Sequence, residues 1–236
     1  MIRSTHRGIL AGVLLPLLAG VASGQGAWNF ETARIGQVFN ASTQQSCTGA
    51  MIGADLVLTA AHCVVEAGNT VPVAARQITF SLRGAERSQQ VSAISDIATH
   101  PEFIREDVPS RDHVALDMAL LRLATPIPGL GDNLADVAAR QDVLAVLPNG
   151  SDEALSPEPC SASYEAKGVI VLDCAKPEGA SGAPVYGLFE NGRRIVGVIS
   201  ASGVKGENVV TFAASPALYL TELEWAGRAR AKPTGY

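Results

Sequence analysis

The sequence predicts an all-β protein in two β-domains, closed by one C-terminal helix. Three observations carry that prediction: apolar runs that are short and rich in Val and Ile, turn residues between most of them, and a Pro/Gly-rich stretch near the middle. Such runs occupy 34–39 (RIGQVF), 55–59, 76–82, 90–98, 117–123, 168–173, 194–200 and 207–213. Many short strands imply a sandwich or a barrel, because a sheet with an apolar face must bury it against another sheet or curl on itself. The stretch 124–132 (ATPIPGLGD) is the natural linker, since proline withholds a ladder donor and glycine permits tight turns. Near the end, Ser215 can cap a helix, Pro216 suits its first position, and Leu220, Leu223 and Ala226 fall on one side. The expected organisation is therefore a β-domain over 27–124, a second over 133–214 and a helix over 215–230.

The first residues stand apart. Arg3 and Arg7 precede the apolar run from Ile9 to Leu18, and the small residues Ala22, Ser23 and Gly24 follow, which is the order of a secretory signal peptide over 1–24. The run is too short for a membrane-spanning helix, which needs roughly 20 apolar residues. A secreted or periplasmic chain with no membrane span, acting as a monomer, is expected. Its 23 acidic against 18 basic residues argue against a nucleic-acid partner.

An exported chain with four cysteines reads as a disulfide framework, and three pairings are formally possible. Cys47 with Cys63 and Cys160 with Cys174 is the economical choice, each closing a loop of about 15 residues worth on the order of 3 kcal/mol. No two cysteines lie two to four residues apart, so a zinc site is a poor reading.

Three further segments carry chemistry: LTAAHC at 58–63, DMALLRL at 117–123 and EGASGAP at 178–184, giving His62, Asp117 and Ser181 in that order. A serine hydroxyl is too weak an acid to attack a carbonyl unaided, so an imidazole must take its proton and a carboxylate must orient the imidazole. A glycine-rich bend lets the N–H groups of Gly179 and Ser181 point at one spot, where a tetrahedral oxyanion would sit; such donors carry roughly 3 kcal/mol each. No histidine follows Ser181, which rules out the order Ser, acid, His with Ser181 as nucleophile. Asp55 lies too near His62 to serve an Asp, His, Ser order. His100 and His113 read as loop residues. Asn40 in N-A-S and Asn149 in N-G-S match glycosylation acceptors but read as turn residues.

CTGAMIGADLVLTAAHC, DMALLRL and the G-x-S-G-x-P of 179–184 resemble the trypsin/chymotrypsin-like serine proteases over nearly the whole mature chain. The resemblance implies two perpendicular six-stranded β-barrels, the chymotrypsin-like fold, with His62 and Asp117 from the first barrel and Ser181 from the second. It also implies a disulfide clamping the histidine loop. Animal members usually carry Asp before the nucleophile, paired with a new N-terminus after zymogen cleavage; here that position is Ala180. The second cysteine pair and the short second half look more like bacterial secreted members, including the glutamyl endopeptidase-like group.

By the same resemblance Ala175 and Lys176 lie at the substrate pocket, with Ile199, Ser200, Ala201 and Ser202 on the strand that lines it. Ala175, where trypsin-like enzymes are acidic, argues against a preference for Arg or Lys. Two preferences stay open: an acidic P1 side chain drawn by Lys176, or a small to medium neutral one. The function expected is a secreted serine endopeptidase acting on protein or peptide substrates, with no metal or organic cofactor. The alternative is a non-catalytic homologue serving as a binding module, and an esterase with the same triad ranks third.

Overall fold

The computed structural model describes residues 34–83, 91–129, 131–136, 140–148 and 155–230; the expected signal segment and Asn149 lie outside them. β1 (Ile35–Asn40), β2 (Gln45–Met51), β3 (Leu56–Thr59), β4 (Ile78–Leu82), β5 (Val91–Thr99) and β6 (Ala119–Leu123) close one barrel in the order β1-β2-β3-β6-β5-β4. β7 (Arg140–Pro148), β8 (Leu155–Tyr164), β9 (Val169–Leu172), β10 (Pro184–Phe189), β11 (Gly192–Lys205) and β12 (Asn208–Ala214) close a second, in the order β10-β11-β12-β9-β8-β7. Neighbouring strands run antiparallel throughout both circuits. Alternation decides what fills each barrel: Ile78, Phe80 and Leu82 of β4 are buried while Thr79 and Ser81 between them are not. Val143, Ala145 and Leu147 of β7 pack with Ile170, Leu172 and Val185 in the second core.

Eight strands coincide with the apolar runs; β2, β7, β8 and β10 do not. A short helix, α1 (Arg111–Leu116), is also new, capped where Ser110 Oγ accepts the His113 N–H at 3.3 Å. His113, expected in a loop, is thus helical, and its Nδ1 meets Glu106 at 2.6 Å.

The terminal helix α2 (Pro216–Arg230) begins at the expected proline, but Ser215 does not cap it. Its hydroxyl is buried with no hydrogen-bond partner among the described residues, and its N–H donates to Gly168 O at 2.8 Å. Leu223 is fully buried and Leu220 half-buried, whereas the side chain of Ala226 lies outside the described set. α2 lies against β5 and β6 as well as β11. There His100 Nε2 meets Glu222 at 2.6 Å, and Tyr219 stands edge-on to the His100 ring at 5.5 Å. No helix among the described residues is long and apolar enough to cross a membrane.

Between the barrels, the buried Asp132 takes the Arg34 guanidinium on one oxygen and the Tyr186 hydroxyl on the other, both at 2.6 Å. Burial and the Asp132 charge push the Tyr186 phenol well above its ordinary value, so it stays a neutral donor. The entry to β1, the linker and β10 are thereby tied at one carboxylate.

Candidate active site

His62 lies in a single 3-10 turn, Ala61–Cys63, directly after β3. Two ties fix that turn. Cys63 is bonded to Cys47 of β2, and the buried Asn40 donates its side-chain N–H to Cys63 O at 3.0 Å. Asn40 is therefore a bracket for the histidine turn. Cys160 pairs with Cys174 across β8 and the chain leaving β9. Cys47, His62 and Cys63 bring ligand-type atoms within 4.8 Å of one another, yet both sulfurs are joined in the disulfide and offer no thiolate.

Asp117 caps the C-terminus of α1 just before β6 and is almost fully buried. One oxygen accepts the His62 backbone N–H at 2.8 Å, and the other faces His62 Nδ1 at 2.7 Å. The Ser200 hydroxyl donates to that second oxygen. Burial pushes this carboxyl up, but the His62 charge, the bonds from His62 and the Ser200 hydroxyl outweigh it and hold the group below its ordinary value. A carboxylate only accepts, so Nδ1 carries a proton and Nε2 is the nitrogen left to exchange one with a substrate or nucleophile.

Ser181 sits in the loop entering β10, between Gly179 (φ +76°) and Gly182 (φ +79°), both in the left-handed region that favours glycine. Gly182 has a second reason to lack a side chain: a Cβ there would lie 2.2 Å from Thr48 O and 2.3 Å from Thr59 Oγ1. The nucleophile loop is thus pressed onto the first barrel at β2 and β3. The Thr48 N–H donates to Ser181 O, and Thr48 Oγ1 donates to Gly179 O, each at 2.8 Å. Ala180 is wholly buried among the apolar side chains of the second core.

Among the described residues, the hydrogen bond reaching Ser181 Oγ comes from Lys176, not from His62. Lys176 Nζ lies 3.1 Å from Ser181 Oγ and 3.1 Å from Ser200 O. Burial pushes this ammonium below its ordinary value, and the Asp117 charge draws it part of the way back. Ser200, expected on the pocket wall, spends its hydroxyl on Asp117 and its carbonyl on Lys176; Ala175 and Ser202 are exposed. A cavity of about 230 Å³ opens beside His62 and Ser200, walled by Phe103, Ile104 and Pro109.

His62, Asp117, Ser200, Lys176 and Ser181 therefore form one hydrogen-bonded chain at the junction of the barrels. A family model for Trypsin matches residues 27–150. The chain belongs to the trypsin family. That match takes in His62 and Asp117, while Ser181 lies beyond it. Among solved structures, the crystal structure of the thermostable serine protease AL20 from an extremophilic microorganism is similar to this trypsin-family chain in fold. Its TM-score is 0.65 at 19% identity, covering 84% of this chain and 98% of that one. The trypsin-family chain is thus a serine peptidase with the chymotrypsin-like double barrel.

Sequence reasoning did not single out Thr48 or Thr59. Thr48 follows Cys47 in a stretch with no apolar run to mark it, and its partner Gly179 is 131 residues away.

Proposed function

We propose that the protein is a secreted serine endopeptidase that cleaves peptide bonds through an acyl-enzyme. Ser181 Oγ attacks the scissile carbonyl while His62 Nε2 takes its proton, then delivers it to the leaving amine. Asp117 fixes the ring and stabilises the imidazolium. The N–H groups of Gly179 and Ser181 receive the oxyanion, each donor worth about 3 kcal/mol. The observation that carries this reading is the His62–Asp117 pair, held by both the ring and the backbone N–H, on the hydrogen-bonded chain that ends at Ser181. The bond from Lys176 does not oppose it, because a hydroxyl that accepts on oxygen keeps its own hydrogen to give to His62.

Lys176 also sets the substrate class, an acidic side chain at P1. Its ammonium uses two of three hydrogens, on neutral oxygens. The other described lysines each meet a carboxylate: Lys167 pairs with Asp112 and Lys205 with Glu165. A desolvated cation beside the nucleophile has most to gain from a carboxylate brought by the substrate.

One observation favours a second reading, the non-catalytic binding module: His62 makes no hydrogen bond to Ser181 Oγ. Treatment with a fluorophosphonate probe and mass mapping of the adduct decides between them. Stoichiometric labelling of Ser181, lost in both Ser181→Ala and His62→Ala, is the expected result. A folded protein with both disulfides formed that takes no label would exclude the endopeptidase.

A further inference from the structure

We infer that Thr48 is the positioning residue that aims the oxyanion donors, through a clamp on two peptide planes of the nucleophile loop. The inference rests on the endopeptidase reading above. Each peptide unit is planar, so holding its carbonyl and its N–H fixes its rotation. The unit joining Gly179 to Ala180 is held at both ends: Gly179 O by the Thr48 hydroxyl at 2.8 Å, and Ala180 N–H on Pro177 O at 3.3 Å. The unit joining Ser181 to Gly182 is held likewise, Ser181 O by the Thr48 N–H at 2.8 Å and Gly182 N–H on Ile199 O at 2.7 Å.

The N–H of Ser181 belongs to the one unit between these two, and the N–H of Gly179 to the unit that directly precedes the first, so each donor shares a Cα with a clamped plane. Neither donates to another group among the described residues. One residue of the first barrel thus anchors the loop on both sides of Ala180, whose own methyl group is packed in apolar surroundings and gives no polar hold.

Thr48 is itself fixed. It is fully buried, and its carbonyl accepts the Thr59 hydroxyl at 2.7 Å. Thr59 is the last residue of β3, three positions before His62. The sequence of contacts from Thr59 through Thr48 to Gly179 and Ser181 therefore sets the nucleophile loop against the strand that feeds the histidine turn.

Replacing Thr48 with valine keeps the shape and the backbone bond to Ser181 O, and removes only the bond to Gly179 O. The test measures kcat and KM per titrated active site, together with the fluorophosphonate labelling rate at Ser181, for wild type, Thr48→Val and Thr48→Ser. Thr48→Val is expected to lower kcat about 10-fold, a loss smaller than removal of a whole oxyanion donor. KM should stay within about twofold, labelling should slow in step with kcat, and Thr48→Ser should recover the rate. Thr48→Ala carries the same expectation where the valine variant does not fold.

A purely structural role would lower stability and the number of active sites but leave kcat per site unchanged, and that result overturns the inference. So does a serine variant as slow as valine. Labelled wild type with an unaffected Thr48→Val removes the role of Thr48 alone. Wild type that neither labels nor hydrolyses peptides removes the endopeptidase reading, and this role with it.

Discussion

Substituting Lys176→Met keeps the aliphatic stem and deletes the charge. The ammonium stands 3.1 Å from both Ser181 Oγ and Ser200 O, half-buried, so a P1 carboxylate reaching it would sit at contact distance in a partly desolvated cleft. Two unit charges at about 4 Å attract by roughly 4 kcal/mol at an effective dielectric near 20. Stripping water from both returns part of that, leaving the roughly 1.5–3 kcal/mol typical of a hydrogen bond to a charged group. Wild type should therefore cleave after Glu about 10- to 100-fold better than after Gln in kcat/KM, on peptides otherwise identical. In Lys176→Met the ratio should fall to about one. Cleavage after Ala or Leu should change little, which separates loss of selectivity from loss of catalysis. Because burial holds the Lys176 ammonium below its ordinary 10.5, the Glu preference should fade with rising pH before that value is reached. A wild-type ratio at or below one, or a ratio that survives Lys176→Met, refutes the reasoning.

Three other outcomes follow from the same geometry. Gly182→Ala forces a methyl group into Thr48 O and Thr59 Oγ1 at a left-handed φ, so it should cost at least about 2–3 kcal/mol by urea unfolding and abolish labelling of Ser181. The Asp117 carboxyl is held below its ordinary 3.8, so its ionisation stabilises the fold above that pH and the contribution is lost as pH falls through the lower folded value. Unfolding midpoints of Asp117→Asn, measured against pH below 3.8, should therefore vary less steeply than those of wild type. Removing the Cys160–Cys174 link with paired serines should cost on the order of 3 kcal/mol and lower the thermal midpoint, with His62 and Asp117 undisturbed in the first barrel.

What the sequence made legible were residue types and their order in the chain. His62, Asp117 and Ser181 can be named because each role demands a particular side chain, and of the rival triad orders one lacks a histidine after Ser181 and the other lacks a suitable acid before His62. The missed strands hide for local reasons. In β8, Pro157 and Pro159 argue against a strand, yet that stretch bonds only to β7, and pairing with β9 begins at Ala162, so the prolines cost no ladder bond on the open side. β2 and β10 carry interior glycines that read as turns, and the unbroken apolar run of β7 has no period to mark it as strand or helix. The short helix before Asp117 spans six residues, too few to show a helical period. Thr48 is the harder case. Its hydroxyl acts across the barrels on a carbonyl, and every residue has a carbonyl, so no pattern marks the partner.

α2 follows the second barrel in the chain yet grips the first, through Glu222 and Tyr219 on His100 and through the buried Leu223. Regions that open on their own expose backbone far more often than a whole domain does. A peptidase lives among copies of an enzyme that cuts exposed backbone, and the rate of such cutting tracks how often the substrate opens. By buckling the barrels together, the last helix couples their opening into one rare event, so resistance to self-digestion is a property of the fastening as much as of either core.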